Sequence, residues 1–189
     1  VWIGSRADDG WRPSIENITG TDQGSLKFFN NSTEGTGYFP STAPDASNFS
    51  LSTHGSVNED GDGFVAYVFA PIQGFSKFGT FVGNGDNNGP FLYCGFKPAW
   101  FMSKRTDGAA SWNIWNNKSN PFNPADALQY ADGTDAEASA ATYSIDFCSN
   151  GVKFRGYRAD TNTNGAAHIW MAFAEQPFVN SNGVPCNAR

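Results

Sequence analysis

Two short segments of alternating oxygen-bearing side chains are the first candidates for chemistry in this chain. Residues 58–63 read NEDGDG and residues 160–165 read DTNTNG, and both match the first six positions of a calcium-binding loop. In such loops, oxygens at alternating positions surround the ion. Asp60, Asp62 and Asp160 supply the carboxylates and are therefore the candidate metal ligands.

The remainder of each segment does not complete a calcium site. A twelve-residue calcium loop needs a bidentate Glu at its last position. Phe69 and Met171 occupy those positions here, and a strand rather than a helix is predicted after each segment. Hairpin turns favour Asn, Asp and Gly for their own conformational reasons. The sequence therefore predicts two turns, with no bound metal and no other cofactor.

Catalytic residue types are scarce, and none forms a known constellation. His54 has no nucleophile motif such as GxSxG beside it, and His168 lies in an apolar strand, where a core or face position is expected. A glycosidase needs two carboxylates placed across a sugar, whereas the few glutamates lie mostly in predicted loops. We predict that the chain is not an enzyme and assign no catalytic residue.

Aromatic residues near long loops are the stronger candidates, because sugar sites use exposed rings for stacking and long loops commonly carry binding residues. Trp112 and Trp115 are three positions apart, so a strand directs them to opposite sides, one to the core and one to solvent. The loop after Trp115 contains Phe122 and Tyr130, and the matching loop of the first half contains Tyr38. Trp115, Phe122, Tyr130 and Tyr38 are the candidate binding residues. The alternative is that each ring anchors its own loop to the core.

Composition limits the class of protein. The 189 residues include 15% aromatics, enough apolar material for a substantial core. A net charge of −6 argues against nucleic acid as a partner. No apolar run approaches the roughly 18 residues of a membrane span, so membrane insertion is not expected. Three cysteines without a CxxC pair argue against a disulfide framework and against zinc.

The apolar segments have the pattern of short strands separated by turns. Residues 75–82 carry Phe at every third position, which fits a helix or a strand, but Gly79 and the neighbouring glycines favour a strand. Residues 124–130 are predicted to form one helical turn. The predicted strands cover residues 1–6, 25–29, 49–53, 64–70, 91–96, 99–102, 111–115, 143–148, 152–157 and 167–174, with a hairpin turn at 149–151.

Several of these strands occur as matched pairs. Residues 63–70 and 166–174 are both apolar, both end in Phe-Ala, and both follow a loop of Asn, Asp and Gly. Trp2 and Trp100 belong to a second pair, and each strand of that pair runs into a Ser followed by basic residues. The order, type and spacing of these features predict an internal duplication.

The predicted repeats span residues 1–73 and 74–189, and the first is truncated at its N-terminal side. The second is introduced by residues 74–98, and we expect the matching segment to precede Val1 in a longer protein. Strands that are apolar on one face must bury it against another sheet. The predicted fold is therefore all-β: a β-sandwich or jelly-roll-like body of two related repeats of short antiparallel strands.

The second repeat also resembles a known family. The segments that carry the resemblance are 77–85 (KFGTFVGNG), 95–107 (GFKPAWFMSKRTD), 146–153 (DFCSNGVK) and 169–178 (IWMAFAEQPF). Their combination resembles a domain common in tail-fibre and related virion proteins of marine and cyanobacterial bacteriophages, and the match covers about residues 74–189. The resemblance implies a virion-surface protein and brings no catalytic residues with it.

The function implied by the resemblance is host attachment or virion structure. The expected partners are further copies of the chain in a homo-oligomer, typically a trimer, other virion proteins, and a host cell-surface receptor such as a glycan. The expected location is the virion tail or a surface appendage. The alternative is a secreted, extracellular carbohydrate-binding (lectin-like) module of a microbial surface protein. A tailspike depolymerase fragment is the third interpretation.

Overall fold

The computed structural model describes residues 2–5, 11–13, 37–40, 45 and 47–175. The chain divides into two compact units, Val1–Phe69 and Ala70–Arg189. This division lies near the predicted repeat boundary at residue 73, while the assignment of the two units as repeats stays a prediction. The predicted strand at residues 25–29 lies outside the described residues.

The described residues form strands and loops with very little helix, so the all-β prediction is confirmed. The helical segments among them are α1 (Gly55–Asn58) and a 3-10 turn at Ala141–Tyr143. The strands are β1 (Trp2–Ser5), β2 (Trp11–Pro13), β3 (Phe64–Tyr67), β4 (Ser76–Val82), β5 (Phe91–Tyr93), β6 (Pro98–Arg105), β7 (Asn113–Asn116), β8 (Ala127–Tyr130), β9 (Ala138–Ser139), β10 (Ile145–Cys148), β11 (Gly151–Phe154) and β12 (Ala167–Ala174).

In the first unit, β1 pairs antiparallel with β2 on one side and β3 on the other. A small cluster around the buried residues Phe39 and Val57 packs nearby side chains of the same unit. The predicted strand at 49–53 is wrong: this segment forms no ladder, although Phe49 and Leu51 are half-buried against the cluster. The alternation of apolar residues in this segment therefore reflects the burial of Phe49 and Leu51 and not the pairing of a strand.

A β-sandwich of two antiparallel sheets forms the second unit. The larger sheet has the order β4-β12-β6-β7-β8-β9, and the smaller has the order β10-β11-β5. Phe154 of the smaller sheet lies with its ring centroid 5.1, 5.9 and 6.2 Å from those of Phe81, Phe101 and Trp115. Each sheet thus buries one face against the other in a shared aromatic core.

The two units share a pairing order. In the first unit β1 lies between β2 and β3, and in the second β6 lies between β7 and β12. Trp2 and Trp100, the residues matched in sequence, both lie on the central strand of these triplets. The duplication itself stays a prediction.

Local propensity misled one prediction in the second unit. The helical turn predicted at residues 124–130 is wrong, because Ala127–Tyr130 is strand β8, paired with β7 through Asn113 and Tyr130. Burial of Ala127 and Leu128 in the sandwich outweighs the weak helical preference of this stretch. The strand predicted over residues 75–82 is confirmed as β4.

Candidate functional site

The smaller sheet has one face in the core and the other toward solvent. In β5, Leu92 is buried, whereas its neighbours Phe91 and Tyr93 are 46% and 58% exposed. The register places Lys153 of β11 beside Phe91, and Asp146 of β10 beside Lys153. A row of one aromatic ring, one cation and one carboxylate therefore crosses the outer face of this sheet.

The two exposed rings on β5 are held by specific neighbours. A Cβ added at Gly151 would lie 2.8 Å from Cζ of Phe91 and would also collide with the carbonyl oxygen of Leu92. The ring of Phe91 therefore lies against the sheet in the space that Gly151 leaves open. Lys77 places its Nζ 4.7 Å from the ring centroid of Tyr93, which is a cation–π distance.

An open pocket of about 520 Å³ adjoins this outer face. It is lined by Asn123, Pro124, Ala141, Ser144, Asp146 and Arg155. The volume falls within the range of small-ligand sites. Because Asp146 belongs both to the pocket and to the row on the sheet, the two surfaces are continuous. We call them together the binding face, defined by Phe91, Tyr93, Lys153 and the pocket residues.

One wall of the pocket comes from the loop after β7, which Asn123 ties to β10. The backbone N–H of Phe147 donates to Asn123 Oδ1 at 2.9 Å, and Asn123 Nδ2 donates to the carbonyl of Phe147 at 3.1 Å. A backbone bridge between Ala125 and Ile145 continues this contact. Phe122, the residue before Asn123, is 83% exposed.

The other wall carries an ion pair. Arg155 Nε donates to Asp146 Oδ2 at 2.5 Å, and this contact raises the pKa of Arg155. The backbone N–H groups of Arg155 and Gly156 both donate to the carbonyl of Ser144, at 2.8 and 2.9 Å, and so fix the end of β11. The pocket therefore offers a charged guanidinium, a carboxylate and an amide within one concave surface.

Trp115, predicted as an exposed stacking residue, is fully buried, so that prediction is wrong. Its indole N–H donates to the carbonyl of Tyr143 at 2.9 Å, and its ring packs against Phe101 and Phe154. Trp112 is also buried. Both tryptophans are excluded from solvent, so the expected split between core and surface does not occur.

The remaining predicted residues differ in their surroundings. Tyr130 is half-buried, and its hydroxyl accepts a hydrogen bond from Arg158 Nη1 at 2.6 Å. Tyr38 is half-buried against the cluster of the first unit, with its ring centroid 4.3 Å from that of His54. Phe122 is the predicted residue whose ring is mostly exposed, and it lies next to a residue that lines the pocket.

The calcium-like segment at 160–165 is a structural loop locked by Asn162, which is fully buried. Its Oδ1 accepts from the N–H of Asn84 at 2.9 Å, and its Nδ2 donates to Asn84 Oδ1 at 2.9 Å and to the carbonyl of Asp86 at 2.8 Å. Asp160 Oδ1 lies 3.2 Å from Arg158 Nε, without hydrogen-bond alignment, and burial raises the pKa of this carboxyl. Asn162 Oδ1 is therefore committed to the loop between β4 and β5, and Asp160 Oδ1 faces a cation of the protein itself.

The other candidate metal ligands, Asp60 and Asp62, are exposed in the turn that follows α1. Within the described residues, no group of three or more His, Cys, Asp or Glu side chains is placed to hold a metal ion. The absence of a metal stays a prediction for the chain as a whole.

His168 and Lys104 are buried ionisable side chains that do not belong to the binding face. His168, predicted at a core or face position, is buried, with Nδ1 3.0 Å from the carbonyl of Ala166 and its ring stacked on Phe81 at 4.6 Å. Burial lowers its pKa to about 4, so it is neutral at pH 7. Lys104 is fully buried, donates from Nζ to the carbonyl of Arg105 at 2.8 Å, and has its pKa lowered to about 8 by burial.

The sequence does not single out four members of the binding face: Phe91, Tyr93, Asp146 and Arg155. The predicted strands cover all four residues, and the alternation in residues 145–148 and 152–155 carries a signal for the two charged positions. In β5 all three residues are apolar, so the alternation that separates Leu92 from its neighbours is not visible in the sequence.

The fold and this face define an all-β protein with a β-sandwich that presents aromatic and charged side chains on one outer face. The model of a family described as a domain of unknown function, DUF7483, matches residues 5–177, so the chain belongs to that family. No curated protein and no solved structure matches the chain. Among the described residues, no helix is long and apolar enough to cross a membrane.

Proposed function

We propose that the second unit binds a cell-surface carbohydrate on its binding face, and that the protein attaches a bacteriophage virion to its host as part of a tail fibre or related surface appendage. The observation that carries the binding role is the pair of exposed rings, Phe91 and Tyr93, fixed on a strand beside the pocket. Aromatic rings at such positions stack on the apolar faces of sugars.

The polar groups of the face suit this role. Sugar hydroxyls need directional hydrogen-bond partners beside a stacking ring. Asp146 and Arg155 supply an acceptor and donors in the pocket, next to the rings on the sheet. Asp146 stands on β10, and Arg155 directly follows β11 with its backbone bonded to Ser144, so both have the support of paired strands, which hold a site more firmly than loops do.

The same geometry favours binding over hydrolysis. A glycosidase places two carboxylates on either side of the scissile bond. Among the residues that line the pocket, Asp146 has the one carboxylate, and it is paired with Arg155. We therefore propose that the protein binds glycan without cleaving it. A reducing-sugar assay that detects product release would contradict this and support the depolymerase interpretation.

The virion assignment is supported by the resemblance of residues 74–189 to phage tail-fibre domains and by the β-sandwich that carries those segments. A secreted carbohydrate-binding module is the alternative, and it would use the same face. Detection of the protein in purified virions by mass spectrometry would support the virion role. Detection of the protein in the culture medium alone would support the secreted module. We propose a homotrimer, and a monomeric mass by light scattering would contradict it.

The binding role is tested by screening the purified chain on a glycan array and titrating the best ligand by calorimetry. Phe91→Ala and Tyr93→Ala should each weaken binding about tenfold, because a ring stack contributes roughly 1.5 kcal/mol. Val82→Ala is the matched control, since Val82 is 63% exposed and lies on the larger sheet. Equal affinity of all three variants and the wild type would exclude this face as the site.

A further inference from the structure

The binding face, together with Lys77 over the ring of Tyr93, carries more cations than carboxylates, although the chain carries a net charge of −6. Lys77, Lys153 and Arg155 lie on it or at its edge, and Asp146 is the carboxylate among them. Three cations against one carboxylate leave a local excess of two positive charges. On a protein that is acidic overall, such a concentration of charge selects an anionic ligand.

Arg155 has donors that its ion pair does not use. Its Nε donates to Asp146 Oδ2, while neither Nη atom donates to any residue in the described part of the chain. The side chain is half exposed. The planar guanidinium fork matches the two oxygens of a carboxylate, and this bidentate contact is stronger than a neutral hydrogen bond.

The two lysines have uncharged partners. Lys77 contacts the ring of Tyr93, and Lys153 Nζ donates to the carbonyl of Gly89. Neither forms an ion pair with an acidic side chain among residues 47–175. Their charges are therefore not neutralised by those residues and are available to a bound ligand.

We infer that this face takes a polysaccharide that carries carboxylate groups, as chains of uronic acids do. The inference rests on the proposed carbohydrate binding and specifies the ligand class. Phe91 and Tyr93 stack on the sugar rings, and Arg155 and the lysines pair with the carboxylates. The face crosses three strands roughly 4.8 Å apart, about 10 Å in all, which gives room for a chain of sugars as well as for a single ring.

The experiment compares two forms of one ligand. Oligomers of a polyuronate, and the same oligomers after reduction of their carboxyl groups to alcohols, are titrated into the intact chain by calorimetry. The acidic oligomer should bind at least tenfold more tightly, and Lys77→Gln and Arg155→Gln should each reduce that affinity about tenfold. Lys118→Gln is the matched control, because it removes one positive charge that pairs with Glu175 away from the pocket lining. Unchanged thermal melting of each variant establishes that it folds.

The possible outcomes separate the two proposals. Equal binding of the acidic and reduced oligomers, or binding of neutral array glycans alone, overturns the acidic ligand and leaves carbohydrate binding intact. Failure of every glycan to bind overturns both. If a sulfated polymer of matched charge density binds with the same affinity as the polyuronate, the face distinguishes ligands by charge alone, and the assignment to carboxylates is overturned. Self-association abolished by Arg155→Gln, with no glycan bound, assigns the face to a second copy of the chain instead.

Discussion

Replacement of Asn162 by alanine removes the side chain that joins two loops at one end of the sandwich. Asn162 is fully buried, and its amide makes three hydrogen bonds to residues of the loop between β4 and β5. The partners are the N–H and Oδ1 of Asn84 and the carbonyl of Asp86, at 2.8–2.9 Å. In the variant the N–H of Asn84 and the carbonyl of Asp86 lose this partner, whereas Asn84 Oδ1 keeps the hydrogen bond from the N–H of Asp86.

The three contacts give the size of the effect. Each hydrogen bond of this kind contributes about 1 kcal/mol net, so Asn162→Ala should lower the free energy of unfolding by roughly 3 kcal/mol. For a domain of this size, that corresponds to a fall in Tm of roughly 10 °C. Urea unfolding followed by tryptophan fluorescence measures the loss, because Trp112, Trp115 and Trp170 are all buried in this unit.

Two further variants make the test specific. Asn164→Ala is the control, because Asn164 is exposed in the same loop and its side chain forms no hydrogen bond to a described residue; its effect should stay within about 0.5 kcal/mol. Asn162→Asp should be at least as destabilising as Asn162→Ala, because it places a carboxylate oxygen against Asn84 Oδ1. An Asn162→Ala loss no larger than that of the control would refute the structural role. A calcium-dependent rise in Tm in Asn162→Asp would point to an ion site instead.

Three other expectations concern buried and charged groups. Burial lowers the pKa of His168 to about 4, so between pH 6.5 and 4 the unfolded chain binds a proton at this side chain and the folded chain does not. The free energy of unfolding should therefore fall by roughly 3 kcal/mol as the pH falls from 6.5 to 4. Urea titrations at a series of pH values should show this slope in the wild type and not in His168→Gln. Lys104→Met should raise the free energy of unfolding at pH 7 by roughly 1–3 kcal/mol, since a buried cation is lost. This gain over the wild type should shrink between pH 8 and 10.5, because Lys104 of the folded wild type loses its proton over this range. A lower Tm for Lys104→Met than for the wild type would contradict this. Millimolar Ca²⁺ should leave the Tm unchanged, because Asp160 pairs with Arg158 and Asn162 is committed to the neighbouring loop.

The fold class follows from local signals that tertiary contacts reinforce. In residues 75–82 the spacing of Phe is ambiguous, and the glycines correctly favour the strand observed as β4. The structure adds a second reason for Gly79: a Cβ there would lie 2.9 Å from Nε1 of Trp170, so this position has no room for a side chain. That constraint comes from β12 and is not visible in the segment itself.

Other elements depend on partners that a single sequence does not reveal. Residues 127–130 have little intrinsic β preference, and β8 exists because β7 provides a ladder for it. For Trp115, the alternation along the strand predicts the face on which the side chain lies. It does not predict whether another part of the protein covers that face. Both Trp112 and Trp115 are covered, so the ring expected at the surface is in the core.

The binding face was the least predictable feature, because its parts are distant in the chain. Asn123 meets Asp146 and Arg155 through its hydrogen bonds to Phe147, and no local pattern predicts such a contact. Phe122 was predicted from its type and loop position alone. Phe122 is exposed, as expected for an aromatic residue of this loop, while its part in binding stays a prediction.

The most direct measurement of the central claim is an NMR titration of the protein with the tightest glycan from the array. Binding on the proposed face predicts shifts of the ring protons of Phe91 and Tyr93, and of the amides of Asn123, Lys153 and Arg155, that saturate together at the calorimetric affinity. Shifts confined to the loop at 158–165, or no shifts with any glycan, would contradict carbohydrate binding by the outer face of the three-stranded sheet.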